Sequence, residues 1–326
     1  MRNYLALLNR ELKAYFVSPM AYVVLGFFVL ATGIFFYNIV VWFDRMSMMS
    51  MMQAQQYRQA PPSMNVNMQA IRPLLHNVAI IALFLLPGIT MRLFAEEKRQ
   101  GTIEFLLTSP ITNWQITLAK YSSALLFYLT MLAVTAVFVS LLFVYGEPEL
   151  GPVLTGYLGL LLVGGCFIAV GMLFSAFTEN QIIAFVSALA TNLILLSVGW
   201  LSSFTGQTLG AILAGISPIE HFDDFSKGVF DTKHLVYYLS FIFAMVFLTY
   251  VTAESTRWRG FQGRRVNVKL PVTVAELAKR MGKPQNRVVE AARPLGANSE
   301  SDSLHEKKPV VELAYGFGYD AEVSAA

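Results

Sequence analysis

The chain has 326 residues, of which 55% are hydrophobic and only 14% charged, with a mean hydropathy of +0.53. Soluble domains carry about a quarter charged residues, so this composition excludes an ordinary soluble protein and indicates one that lives in a membrane. The formal net charge of +3 is small and informs less than its placement; the single cysteine, Cys166, lies in an apolar run and can form no internal disulfide.

Residues 2–16 place Leu5, Leu8, Leu12 and Phe16 at helical spacing, with Arg10 and Lys13 elsewhere on the wheel. That pattern suits a helix lying in the membrane interface, ended by Ser18-Pro19. Arg2, Arg10, Glu11 and Lys13 precede an apolar run too long for the core of a cleavable signal. Six segments then approach the roughly 20 residues that a membrane span requires, near 20–43, 74–94, 116–145, 152–177, 182–204 and 234–254. With the N-terminus inside, the inner flanks hold twelve Lys or Arg and the outer loops five. The excess predicts both termini in the cytoplasm, and an even number of spans agrees.

The first outer loop collects methionine: Met46, Met48, Met49, Met51, Met52, Met64 and Met68. Thioethers are soft ligands that favour Cu(I), but methionine also makes an adaptable contact surface or extends a span. No His or Cys joins the cluster, so a partner-facing loop is the simpler expectation. In the second span, Pro87-Gly88 marks either a hinge or a static bend of the kind membrane helices tolerate.

Between the second and third spans lies Met91 to Gln115, MRLFAEEKRQGTIEFLLTSPITNWQ. Glu96, Glu97, Lys98 and Arg99 end the span, Gly101 breaks the helix ahead of Thr102, and a short apolar helix, Ile103 to Leu107, runs until Pro110 stops it. An apolar helix exposed beneath a membrane is costly unless it docks into another protein. Ile103, Phe105 and Leu106 supply apolar contact, with Leu107 beside them, and Glu104 can pair with a cation on the partner. The bland alternative is a solvated loop whose apolar residues fold back onto the bilayer. Thr112-x-x-Gln115 forms a capping box that starts the third span.

Gly156, Gly159, Gly164, Gly165 and Gly171 in the fourth span permit close helix contact, either within the subunit or at an interface. A second capping box, Ser217-x-x-Glu220, with Pro218 at the first helical position, predicts a short outer helix closed by Gly228. Its Phe222 and Phe225 are placed to dip into the membrane interface, and Asp231 is positioned to cap the last span. RWRGFQGRR then forms a basic stretch suited to anionic head groups. Beyond Pro271 the chain turns polar, with one helix capped by Thr273 and ended by Gly282 and another opened by Pro284. The resulting organisation is an interfacial helix over 1–18, a membrane domain over 19–256, a basic linker over 257–270 and a small helical tail over 271–326.

The spans carry few ionisable groups: His76 and Lys120 lie near span ends, and Asn192 is the main polar group at mid-span. Ion-coupled carriers usually need buried charge there, which argues against a self-powered carrier. The Gly-Lys pair at 282–283 lacks the upstream glycine of a phosphate-binding loop, so ATP would have to be used by another subunit. No metal-spaced cluster and no nucleophilic triad is present, which argues against catalysis.

The Met91–Gln115 segment resembles the first cytoplasmic loop of ABC-2-type transporter permeases, most closely the gliding-motility branch. SAFTENQ (175–181) and SPIEHFDDFSKGVFDTKHLVYY (217–238) resemble the same family, in the expected order. The resemblance implies an all-α, six-span, multi-pass subunit of the bacterial inner membrane. It implies pairing with a second permease, as a hetero- or homodimer, and with two cytoplasmic ABC ATPases that bind ATP and Mg, this chain holding no cofactor itself. By that resemblance Gly101 to Thr108 is the coupling helix seated in the ATPase, and an auxiliary periplasmic-domain protein and membrane lipid are further partners. The competing function is a membrane scaffold of a motility or secretion machine that moves no solute. Val272 to Val323 resembles the small N-terminal module of translation initiation factor two, which implies RNA or ribosome contact; the alternative is a protein-docking appendage.

Overall fold

In the computed structural model, the described residues are 2–57, 65–102, 111–202, 204–262, 265–269, 272–293, 299, 301–304, 309–310, 313–314 and 320–324. They fall into two compact units, Met1–Thr252 and Ala253–Ala326.

Among its described residues the first unit is built from helices alone. α1 (Arg2–Val17) leads into α2 (Pro19–Tyr57), the first of six helices long and apolar enough to cross a membrane. A single π turn, Asn67–Ile71, opens α3 (Arg72–Thr90), and a short α4 (Ala95–Gln100) follows it. Then come α5 (Asn113–Tyr145), α6 (Leu150–Phe177), α7 (Gln181–Ser202), two short helices α8 (Gln207–Ile216) and α9 (Pro218–Ser226), and α10 (Thr232–Gln262), which runs on past residue 252. The chain is all-α and polytopic, as its apolar periodicity requires.

The spanning helices divide by burial. In their most apolar windows α6 is 83% and α3 67% buried, whereas α2 and α10 are 17% buried and α7 22%. α3 and α6 therefore form the core, and the others shield it while turning most of their surface outward. Glycine lets the core close. Tyr128, Tyr121 and Thr90 fill the space that side chains at Gly164, Gly165 and Gly171 would need. Leu75 does the same at Gly156. A Cβ on Gly159 would lie 2.8 Å from both Phe222 and Phe225. This glycine row is thus internal packing. The two phenylalanines, expected at the membrane interface, are fully buried against α6 instead, because removing both rings from water outweighs a shallow interfacial seat.

Two further local expectations change. The methionine-rich segment from Met46 to Met52 is no loop: α2 continues as helix to Tyr57, and these methionines stand exposed on it. The Ser217 capping box does not form, since the buried Ser217 hydroxyl makes no cap bond at α9. α1 packs along α5 through Tyr4, Leu7, Glu11 and Tyr15, leaving Leu5 and Phe16 exposed. The seam lies one step round the wheel from Leu5, Leu8, Leu12 and Phe16. By contrast, the Thr112–Gln115 box is complete, Gly228 closes α9 at φ +91°, and Asp231 accepts from the Lys233 N–H at 2.9 Å.

The second unit adds short strands to its helices. β1 (Arg265–Lys269) pairs in parallel with β4 (Asp320–Ser324), and β2 (Val272–Thr273) pairs antiparallel with β3 (Ser303–Leu304). Between them, α11 (Val274–Arg280) is capped by Thr273, and α12 (Gln285–Ala292) follows Pro284. Val274, Leu277, Val288, Leu304, Val310 and Leu313 close a small hydrophobic core.

Candidate functional site

The second span does not end in one stroke. α3 runs through Pro87 to Thr90, the chain turns over 91–94, and α4 resumes at Ala95. The break exposes backbone groups that need partners, and Ser175 near the end of α6 meets them. Its Oγ accepts from the Phe94 N–H at 3.0 Å and the Ala95 N–H at 3.1 Å, and donates to the Met91 carbonyl at 2.9 Å. The Lys98 ammonium donates to the Ala176 carbonyl next to it. Two adjacent residues of the SAFTENQ motif thus fasten both sides of the helix break.

α4 stops in a Schellman motif. Gly101 adopts φ +70°, its N–H bonds the Lys98 carbonyl at 3.1 Å, and the Thr102 N–H reaches the Glu97 carbonyl at 3.0 Å. Any residue with a Cβ is strained at that φ. The segment 103–110, which contains Ile103, Glu104, Phe105, Leu106 and Leu107, lies outside the described residues. Its two attachment points are the αL turn at Gly101 and the capping box at Thr112.

Within α4 the four charged residues take different roles. Arg99 is exposed, Lys98 is tied to α6 as above, and Glu96 accepts from Gln100 Nε2 at 3.3 Å. Glu97 turns inward. Its Oε1 lies 2.9 Å from Lys120 Nζ and 3.3 Å from Arg10 Nη2, while Lys120 also reaches Glu11 at 3.4 Å and Arg10 bonds Glu11 at 2.8 Å. Burial alone would lower the Arg10 guanidinium, but Glu11 and Glu97 beside it raise it above its ordinary value. Lys120 is 2% exposed at its side chain and lies over the Phe94 ring. One buried cation therefore holds two carboxylates from two other elements, joining α1, α4 and α5. Breaking such a buried pair from one side costs about 3–5 kcal/mol. Sequence inspection left Lys120 as a span-end residue; its signal was a lysine inside an otherwise apolar run, but Glu11 and Glu97 are too distant in sequence to be assigned as its partners.

These groups border a cavity of about 680 Å³ between α1, the start of α2, the end of α3 and α4. Gly88 lines it, whereas Pro87 is buried inside α3. Elsewhere, Asn192 is fully buried, and its amide has no hydrogen-bond partner among the described residues. No group of three or more His, Cys, Asp or Glu able to hold a metal occurs among the described residues.

A second polar cluster occupies the opposite end of the core. α3 begins at Arg72 and ends at the break, so contacts to its first turn mark the far end. There Asp223 of α9 pairs with Arg72 and Lys227, each at 2.5 Å, with His76 at 3.6 Å. Beside it His234 lies 2.8 Å from Asp224 and 2.5 Å from His221, whose other nitrogen meets the Gly215 carbonyl at 3.1 Å. Burial would raise the Asp223 carboxyl, but Lys227 and Arg72 hold it below its ordinary value.

A family model described as ABC-2 family transporter protein matches residues 5–268. Two proteins of Escherichia coli, from strain K12 and from O157:H7, both described as "Probable multidrug ABC transporter permease YbhR", are similar to this chain. Each is 31% identical over 139 residues, which cover 42% of this chain and 37% of the relative's length.

Proposed function

The chain belongs to the ABC-2 family of transporter proteins, and we propose that it is the permease half of an exporter whose ATPase is a separate subunit. In this assignment the segment Gly101–Thr108 is the coupling helix, and it docks into the ATPase through Ile103, Phe105 and Leu106. A second permease, a copy of this chain or a companion, completes the translocation path. The coupling helix and both termini then lie on the cytoplasmic side of the inner membrane. ATP and Mg belong to the partner.

The observation that carries this reading is the fastening of α4. A loop with no mechanical role needs no rigid attachment, yet here the helix between the membrane core and residue 103 is tied to three elements. Ser175 and Lys98 join it to α6, and Glu97 joins it to α5 and α1 through Lys120. A push at residues 103–110 is thereby delivered to the core helix α6 and to the flanking α1 and α5 together. Pro87, which removes one backbone hydrogen bond just above the break, supplies a compliant point. The name carried by the Escherichia coli relatives, a probable multidrug permease, favours drugs as cargo.

The test is Phe105→Asp, which buries a charge at the docking face. The variant is expected to insert into the membrane normally and to lose co-purification with its ATPase. Retention of the ATPase at the wild-type ratio would remove the docking role from this segment.

A further inference from the structure

The cavity beside α4 is lined by charges that are not all paired. Three cations and three carboxylates line it: Arg10, Arg92, Lys120, Glu11, Glu96 and Glu97. Four of these neutralise one another in the network around Lys120. Arg92 stands apart. It is half-buried, its contact with a side chain is a long bond to Ser18 Oγ at 3.4 Å, and it makes no ion pair among the described residues. Its Nε is buried with no hydrogen-bond partner. The remaining carboxylate, Glu96, accepts from Gln100 rather than from Arg92, so this guanidinium keeps donors to spare, and its fork matches the oxygens of a phosphate better than those of any neutral group.

The rest of the cavity fits what such an anion would be attached to. Leu7, Ala14, Ala21, Val24, Ile89 and Leu93 give it an apolar wall. Met20 both lines it and is 44% exposed beside Val17, itself 80% exposed, at the junction of α1 with the first spanning helix. At Met20 the apolar wall of the cavity thus continues into exposed apolar surface. The volume lies within the 300–1,000 Å³ of sites that enclose small molecules, enough for a head group and the first methylenes.

We propose that this cavity holds one phospholipid, drawn from the surrounding bilayer leaflet, with its phosphodiester on Arg92 and the start of its acyl chains along the α1–α2 wall. The lipid supplies the charge that Arg92 lacks and wedges α1 against the α3–α4 break, so the seat of α4 depends on lipid. This does not rest on the coupling role of residues 103–110, and its readout needs no ATPase.

The test is native mass spectrometry of the full-length protein in maltoside micelles, titrated with phosphatidylglycerol. Wild type is expected to retain one lipid per chain. Arg92→Gln should weaken retention about tenfold, the loss of one charge-assisted contact, and Ala14→Trp, which fills the cavity from an exposed position of α1, should do the same. Arg72→Gln, at the far end of α3, should retain lipid as wild type does. A thermal melt of each variant separates lost binding from lost fold, and Arg92→Lys, which keeps the charge, should recover part of the affinity. Equal retention by wild type, Arg92→Gln and Ala14→Trp would overturn the proposal. So would equal displacement of the lipid by a cationic, phosphate-free amphiphile, which would make the cavity a cargo site.

Discussion

His221 shows how a single ring is constrained by its neighbours at the far end of the bundle. Its Nε2 faces a carbonyl and carries a proton, only one of the facing Nδ1 atoms of His221 and His234 can carry another, and burial of His221 makes its Nδ1 the acceptor. Protonating it would set two N–H groups face to face at 2.5 Å. Burial pushes its pKa below the ordinary histidine value, His234 and Lys233 push the same way, and the Gly215 carbonyl and Asp224 oppose them. A histidine with a lowered folded pKa binds fewer protons than the unfolded chain does just below pH 6.5, so its contribution is intact above that value and lost as pH falls. Acidification from pH 7.5 towards 5.5 is therefore expected to loosen α9, read as lower amide protection over residues 218–227 relative to the intrinsic exchange rate at each pH. His221→Gln should flatten that dependence.

At the scale of elements, the informative contact is the one between the helix break and the end of α6. Ser175 satisfies two backbone N–H groups and one carbonyl with a single hydroxyl, and its side chain is wholly buried. Ser175→Ala leaves those groups unpaired where water cannot reach, at a cost of roughly 1–3 kcal/mol for each unsatisfied group. On the proposed function, the variant is expected to assemble with the ATPase, since residues 103–110 are untouched, and to move less cargo per ATP hydrolysed. Transport and hydrolysis that fall in proportion would mean that Ser175 serves stability alone. The span positions and the Gly101 stop were legible in advance because each depends on local chemistry: runs of about 20 apolar residues, or one residue able to take φ +70°. The burial of Phe222 and Phe225 was not legible. An amphipathic nine-residue helix is equally suited to a bilayer surface or a protein groove, and the groove at Gly159 lies over 60 residues away in the chain.

For the molecule as a whole, the division near residue 252 predicts separable stabilities. The tail has its own core, in which Leu277 is completely buried. Leu277→Ala is expected to cost about 2–5 kcal/mol locally and to unfold the tail. The membrane unit should keep its melting temperature and its lipid, measured by differential scanning fluorimetry on the full chain. A parallel fall in both transitions would mean that the two units fold as one. The tail also marks a boundary of sequence inference. Its helix caps at Thr273 and Gly282 were visible as patterns, whereas the β1–β4 pairing joins residues more than 50 positions apart and left no local trace.

What the sequence by itself determined is the membrane class, the apolar helices and the stop at Gly101, because hydropathy, periodicity and capping act over a few neighbouring residues. Only the tertiary structure decided which charge meets which. Lys120 selects Glu97 and Glu11 over the other carboxylates at that end, and Arg92 is left without one among the described residues. Ion pairing inside a low-dielectric bundle is fixed by distances of a few ångströms between elements far apart in the chain.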